Sequence, residues 1–163
     1  MNIKINESQF DLVVDMIQNQ STNNKEQFAT LIGKIDNDSN LDVESFEIWP
    51  EHLLEQTETS VEPKENSWNW VLYNMASQNC DFVVTLHTHP EWFGSEVLDE
   101  TDAETFKQWS NFFEEKMNNV ICINGIVAQN GGLMFVIYDK NTNEFKKVGC
   151  QVGNKIIPST KGR

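Results

Sequence analysis

Residues 82–90 read Phe-Val-Val-Thr-Leu-His-Thr-His-Pro, and they constrain the fold more than any other stretch. Residues 82–86 are apolar or β-branched at successive positions. That pattern marks a strand buried on both faces, and so one lying inside a sheet. Pro90 has no N–H for a ladder, so strand pairing stops there. Just before it, His87 and His89 stand two residues apart, and residues i and i+2 of a strand point to the same face. Any fold that satisfies this segment presents two imidazoles together at the end of a central strand.

The rest of the chain alternates helical and extended patterns around that strand. Residues 1–5 suggest a short edge strand. Asn6 or Ser8 can cap a helix running to about residue 20, with Phe10, Val13, Val14 and Ile17 at helical spacing. After a polar turn, residues 26–36 read as a strand and residues 43–49 as its antiparallel partner, joined by the turn formers Asp-Asn-Asp-Ser-Asn. Residues 50–65 are acidic and without periodicity, the pattern of a long surface loop. Residues 68–77 look helical. Residues 90–98 form a loop, and residues 99–117 a helix with an apolar face of Phe106, Trp109, Phe112 and Phe113. Three strands follow at 120–128, 133–138 and 145–152. Residues 1–152 then make one domain, with 153–163 a loose tail. The expected class is α+β, helices packed on a curved sheet.

Composition narrows the function. The chain of 163 residues carries 25 acidic and 12 basic residues, a net charge of −13. Such a surface repels phosphate backbones, which argues against nucleic acid as a direct partner. The ordinary consequence of the acidity is solubility, and the sharper one a basic protein partner. Cys80, Cys122 and Cys150 are too widely spaced for a CxxC pair, and an odd count does not suggest a disulfide scaffold. The first residues lack the apolar core of a secretion signal, and no apolar run reaches the roughly 18 residues of a membrane span. A reduced cytoplasm is the expected location.

The chemistry follows the two histidines. Two neutral imidazoles and one carboxylate, with a fourth position left for water, make an open tetrahedral zinc site. Asp99, Glu100 and Asp102 all lie at the start of the next helix and could return a carboxylate to the metal. An aspartate at such a place also has a purely local use, since Asp99 can cap the helix and acids in the first turn favour its dipole. His52, in the acidic segment, reads as an ordinary surface histidine.

The segments His-Thr-His-Pro and Leu-Asp-Glu-Thr-Asp resemble the zinc signature of the JAMM metalloproteases of the MPN (JAB) domain family. That signature runs His-x-His-Pro, a short loop, then Ser-x-x-Asp. Glu26 and Gly33 in Glu-Gln-Phe-Ala-Thr-Leu-Ile-Gly are similar to the family's upstream glutamate strand. The resemblance spans roughly residues 5–150. It implies a mostly antiparallel curved sheet flanked by helices, of the cytidine-deaminase-like kind. It implies zinc held by His87, His89 and Asp102, with Glu26 as general base toward the water nucleophile and then as acid to the leaving amine. Two features depart from the pattern. The loop before the aspartate is two residues longer, and Asp99 replaces the serine that helps catalysis in the family. Ser95 is a substitute hydroxyl donor, and Trp92 and Phe93 are candidate contacts for a substrate tail.

The activity implied by the resemblance is peptide or isopeptide cleavage after the C-terminal glycine of a ubiquitin-like protein. Small bacterial relatives accompany E1/E2-like conjugation proteins, some in antiphage defence. The alternative is a non-catalytic scaffold of the same type that pairs with another subunit.

Overall fold

The computed structural model describes residues 1–90 and 98–157. Its ten strands are β1 (Asn2–Ile5), β2 (Phe28–Ile35), β3 (Leu41–Ile48), β4 (Leu54–Gln56), β5 (Val61–Pro63), β6 (Phe82–Thr88), β7 (Ile121–Val127), β8 (Leu133–Asp139), β9 (Glu144–Val152) and β10 (Lys155–Ile157). Three α-helices accompany them among the described residues: α1 (Glu7–Asn23), α2 (Trp68–Gln78) and α3 (Glu100–Lys116).

The main sheet runs β1-β3-β2-β6-β7-β8-β9, and β1 pairs with β9 as well as with β3. Those two pairings close seven strands into a barrel. This corrects the expected architecture. The sheet is not the curved surface flanked by helices of the MPN/JAB, cytidine-deaminase-like kind but a closed mixed barrel. The physical reason lies in β1. Ile3 and Ile5 are buried on one face, while the backbone is hydrogen-bonded in parallel to β3 on one side and to β9 on the other. A strand expected at an edge is the seam of the barrel. The β6/β7 pairing is also parallel, and the remaining barrel seams are antiparallel.

Closure separates two apolar clusters. The barrel strands turn Ile3, Leu31, Leu41, Val84, Leu86, Ile123, Phe135 and Val148 inward, and α1 adds Val13 and Met16 to them. Their opposite face, with Phe28, Ile32, Val83, Ile126 and Val136, packs under α2 and α3. Here Phe28, Trp49, Trp68 and Trp109 meet edge to face, with ring centroids 5.1–6.4 Å apart.

Local chemistry sets the element ends. Asn6 caps α1 by accepting from Gln9 N while the Gln9 side chain accepts from Asn6 N, a complete capping box. The helix then runs past residue 20 and stops at Asn24, whose left-handed backbone ends it; Asn79 ends α2 in the same way. The β2/β3 register shifts between Ile32 and Gly33, and a Cβ at Gly33 would collide with the Asp42 carbonyl oxygen. Glycine there allows the close approach of the two backbones.

Two further expectations differ. Residues 50–65 are not a loop: β4 and β5 pair antiparallel as a hairpin, with Leu54, Val61 and Pro63 buried and the acids turned outward. The stretch from residue 153 is not loose where it is described, because Lys155–Ile157 pair with β9 as β10. No helix among the described residues is long and apolar enough to cross a membrane.

Two predictions follow from this packing. Ile3→Ala empties a fully buried position on the closing strand and should cost about 2–5 kcal/mol in a denaturant melt. Val14→Ala, on the exposed side of α1, should stay within about 0.5 kcal/mol. The three thiols are free. Burial pushes Cys122 up to about 12 and Cys150 up to about 11. Brief alkylation of the native protein near neutral pH should therefore modify half-buried Cys80 first and reach the other two only in denaturant. Equal labelling of Cys122 and Cys80 would contradict the packing.

Candidate metal centre

The site is built on a strand–helix–strand unit. β6 leads to α3, and α3 returns to β7, the parallel neighbour of β6. β6 is buried along its whole length. Its end is held on both edges: Thr88 N donates to Gln27 O at 3.0 Å, and His89 N, one residue past the strand, donates to Val127 O at 2.8 Å. Both histidine backbones are thus held before Pro90 releases the chain. His87 and His89 lie on one face, only 4 % and 7 % exposed.

α3 supplies the third group. Asp99 is its N-cap, and Asp99 Oδ1 accepts from Asp102 N at 2.7 Å. This bond fixes the first turn and places Asp102 over the histidines. One turn later, Phe106 packs edge-on against the His87 ring, with centroids 5.7 Å apart.

The three side chains converge. His87 Nε2 and His89 Nε2 are 3.1 Å apart, His89 Nε2 is 2.9 Å from Asp102 Oδ2, and His87 Nε2 is 3.5 Å from Asp102 Oδ1. Ligand bonds of about 2.0–2.2 Å in a tetrahedron set the donor atoms about 3.3–3.6 Å apart, close to the observed separations. Despite its short approach to His89, Asp102 Oδ2 completes no aligned hydrogen bond, and His87 Nδ1 has no partner among the described residues. Lone pairs aimed at a common point, rather than donor facing acceptor, are what a cation requires. His87, His89 and Asp102 could therefore hold a metal ion.

The electrostatics of the metal-free triad are tightly coupled. Burial pushes the His87 imidazole below its ordinary value, and the opposing pull of Asp102 does not recover it. Burial also disfavours the charged form of His89, but Asp102, with smaller contributions from Glu26 and Asp99, outweighs it and raises that ring. Burial would raise Asp102, yet the two imidazoles hold it well below the usual carboxylate range. A neutral His87 and an ionised Asp102 are the forms that ligate a metal, and an entering cation competes with a proton at His89.

Glu26 lies just before β2. The β2/β6 register pairs Phe28 with His87, and the Gln27–Thr88 hydrogen bonds continue it, so Glu26 falls opposite His89 on the same face. The hairpin grips its backbone: Glu26 N donates to Thr57 O, and Gln56 Nε2 donates to Glu26 O. The side chain is buried and adds negative charge beside His89. Two open clefts meet here. One, of about 440 Å³, is lined by Glu26, hairpin residues 55–57 and 59–62, His87, Asp102 and Trp109. The other, of about 360 Å³, shares Glu26, Thr59, Ser60, Thr101 and Asp102 and adds His89 and Asp99.

The structure thus brings together His87, His89 and Asp102, with Glu26 beside them. Asp99 is exposed and serves as the cap, outside the converging set. His52 is exposed. Trp92, Phe93 and Ser95 lie outside the described residues. Residues 50–65, expected as a loop walling a substrate groove, do line the cleft through residues 55–57 and 59–62. Sequence reasoning missed their hairpin form, whose signal was the short apolar alternation of Val61 and Pro63 among acids.

No protein-family model and no curated protein matches the chain. Among solved structures, the solution structure of protein DSY2949 from Desulfitobacterium hafniense matches it with a TM-score of 0.62 over 94 % of each chain, at 12 % sequence identity. At that identity the likeness shows a fold in common.

Metal analysis after zinc loading should find about one ion per chain, and His87→Ala with His89→Ala should abolish it. Asp102→Asn should weaken binding strongly. Asp99→Ala should keep the metal while costing about 0.5–2 kcal/mol of stability through the lost cap. Metal lost from Asp99→Ala but kept in Asp102→Asn would exchange the two roles.

Proposed function

We propose that this chain is a zinc-dependent peptidase of the JAMM type that cleaves the peptide or isopeptide bond after the C-terminal glycine of a ubiquitin-like protein. The observation that carries the reading is the convergence of His87, His89 and Asp102 at near-tetrahedral separations, with Glu26 in register beside them in an open cleft. Two imidazoles and a carboxylate are a donor set suited to zinc with one position open. When bound, zinc supplies Lewis acidity toward the scissile carbonyl and an acidified water as nucleophile. Glu26 is not among the converging ligands. Its carboxylate takes a proton from the nucleophile and returns it to the leaving amine nitrogen. The hairpin holds the Glu26 backbone on both its N–H and its carbonyl, which keeps the base in position.

The cleft suits an extended tail. One wall is the β4–β5 hairpin and the other the first turns of α3. An extended peptide can lie along a short sheet edge of this kind. Among the described residues, Glu26, Glu55, Glu62 and Asp102 line it without a lysine or arginine, which favours a substrate with basic residues near the scissile bond. Conjugation enzymes of the E1/E2 type would be the natural companions of such an activity.

One observation favours the scaffold alternative. Asp99 occupies the place of the family serine, its Oδ1 is used by Asp102 N, and an ionised carboxylate donates no hydrogen bond.

A reporter fused to the C-terminal glycine of ubiquitin-like proteins separates the two. Wild type should cleave after the glycine, and a strong chelator should stop it. Glu26→Gln should retain fold and zinc while losing about 10²–10⁴ in rate. Equal rates for Glu26→Gln and wild type would remove Glu26 from the chemistry. A zinc-loaded protein that cleaves none of the fusions would favour the scaffold.

A further inference from the structure

The face of β6 that carries His87 also carries Thr85, two residues earlier and fully buried. Thr85 Oγ1 donates to Asn124 Oδ1 at 2.6 Å. Asn124 is the in-register partner of Thr85 on β7 and is likewise fully buried. Its Nδ2 donates to Ser110 Oγ on α3 at 3.1 Å. The same face of the sheet carries the apolar cluster of Val83, Ile126, Phe106, Trp109 and Phe113, and Thr30 is the in-register neighbour of Thr85 on β2.

A buried polar chain is costly unless its members satisfy one another, and apolar residues would pack this interface at no such cost. What apolar packing lacks is direction. It permits small slides and rotations of a helix on a sheet, whereas hydrogen bonds fix one register. The ends of this chain sit on the two elements that supply the metal ligands. Ser110 follows Asp102 by eight residues, about two turns or about 12 Å along the same face of α3. Thr85 precedes His87 by one strand repeat of about 6.6 Å.

We infer that Thr85, Asn124 and Ser110 are positioning residues for the metal centre, fixing α3 on β6 so that Asp102 meets His87 and His89. This role rests on the metal reading above. Asn124 is the joint, because it alone bonds to both elements.

The test reads metal binding and geometry, independently of turnover. Zinc affinity is measured by competition with a chromophoric chelator, and ligand geometry by the visible spectrum of the cobalt(II)-loaded protein. Thr85→Val and Ser110→Ala should each lower zinc affinity by up to about 10-fold, the lower end of the effect of groups bonded directly to metal ligands, and should shift the cobalt spectrum. Thr85→Ser, which keeps the hydroxyl, should restore both. Val136→Ala, in the same apolar cluster but outside the chain, should lower the thermal midpoint while leaving affinity and spectrum as in wild type. Unchanged affinity and spectrum in Thr85→Val and Ser110→Ala, with zinc bound normally by wild type, would overturn the positioning role alone. The same loss in Val136→Ala would also overturn it, by showing that stability alone governs the site. A wild type that binds neither zinc nor cobalt would overturn the metal centre and this role together.

Discussion

The double pairing of β6 is the constraint on which the site depends. This strand is buried on both faces and bonded along both edges, antiparallel to β2 and parallel to β7. The β2 register sets Glu26 opposite His89. The β7 register sets Asn124 beside Thr85 and makes α3 the crossover between parallel neighbours. A slip of one residue against β2 would turn Glu26 to the other face of the sheet, away from both histidines. The locations of His87, His89 and Glu26 are thus consequences of backbone hydrogen bonding before any side-chain contact is considered.

Asp99 illustrates how a local rule can serve a distant group. Its carboxylate does what an N-cap does, accepting the N–H three residues on. The residue whose N–H it takes is Asp102, so helix capping and ligand placement are one event. A serine at this place would orient Asp102 equally, since both side chains accept from a backbone N–H. Under the proposed function, the two differ in what the exposed end of the group offers a substrate.

Much of the site was legible in the sequence because its determinants are local. Alternation alone puts His87 and His89 on one face, Pro90 marks the strand end, and capping chemistry marks the start of α3. Most strands and helices were legible for the same reason. Closure was not. Asn2–Ile5 is short, and its two parallel partners lie far away in the chain, with no turn between them to announce the pairing. An edge strand and a closing strand have the same local pattern when one face is buried. The β4–β5 hairpin was hidden differently. Three-residue strands with acids on the open face carry too few buried positions to stand out from a loop. The Thr85–Asn124–Ser110 chain was invisible because its members come from three separate elements.

Closure by β1 also has a consequence for biosynthesis. β1 leaves the ribosome long before β9, its parallel partner, so the barrel cannot close until β9 has emerged. Until β9 emerges, the backbone of β1 has β3 to pair with and its other edge stays open. Non-local pairings of this kind slow folding, because chain entropy is lost before the contacts are gained. The nascent chain therefore carries an unsatisfied strand edge from the emergence of β1 until that of β9. That is the interval in which it most needs protection from self-association.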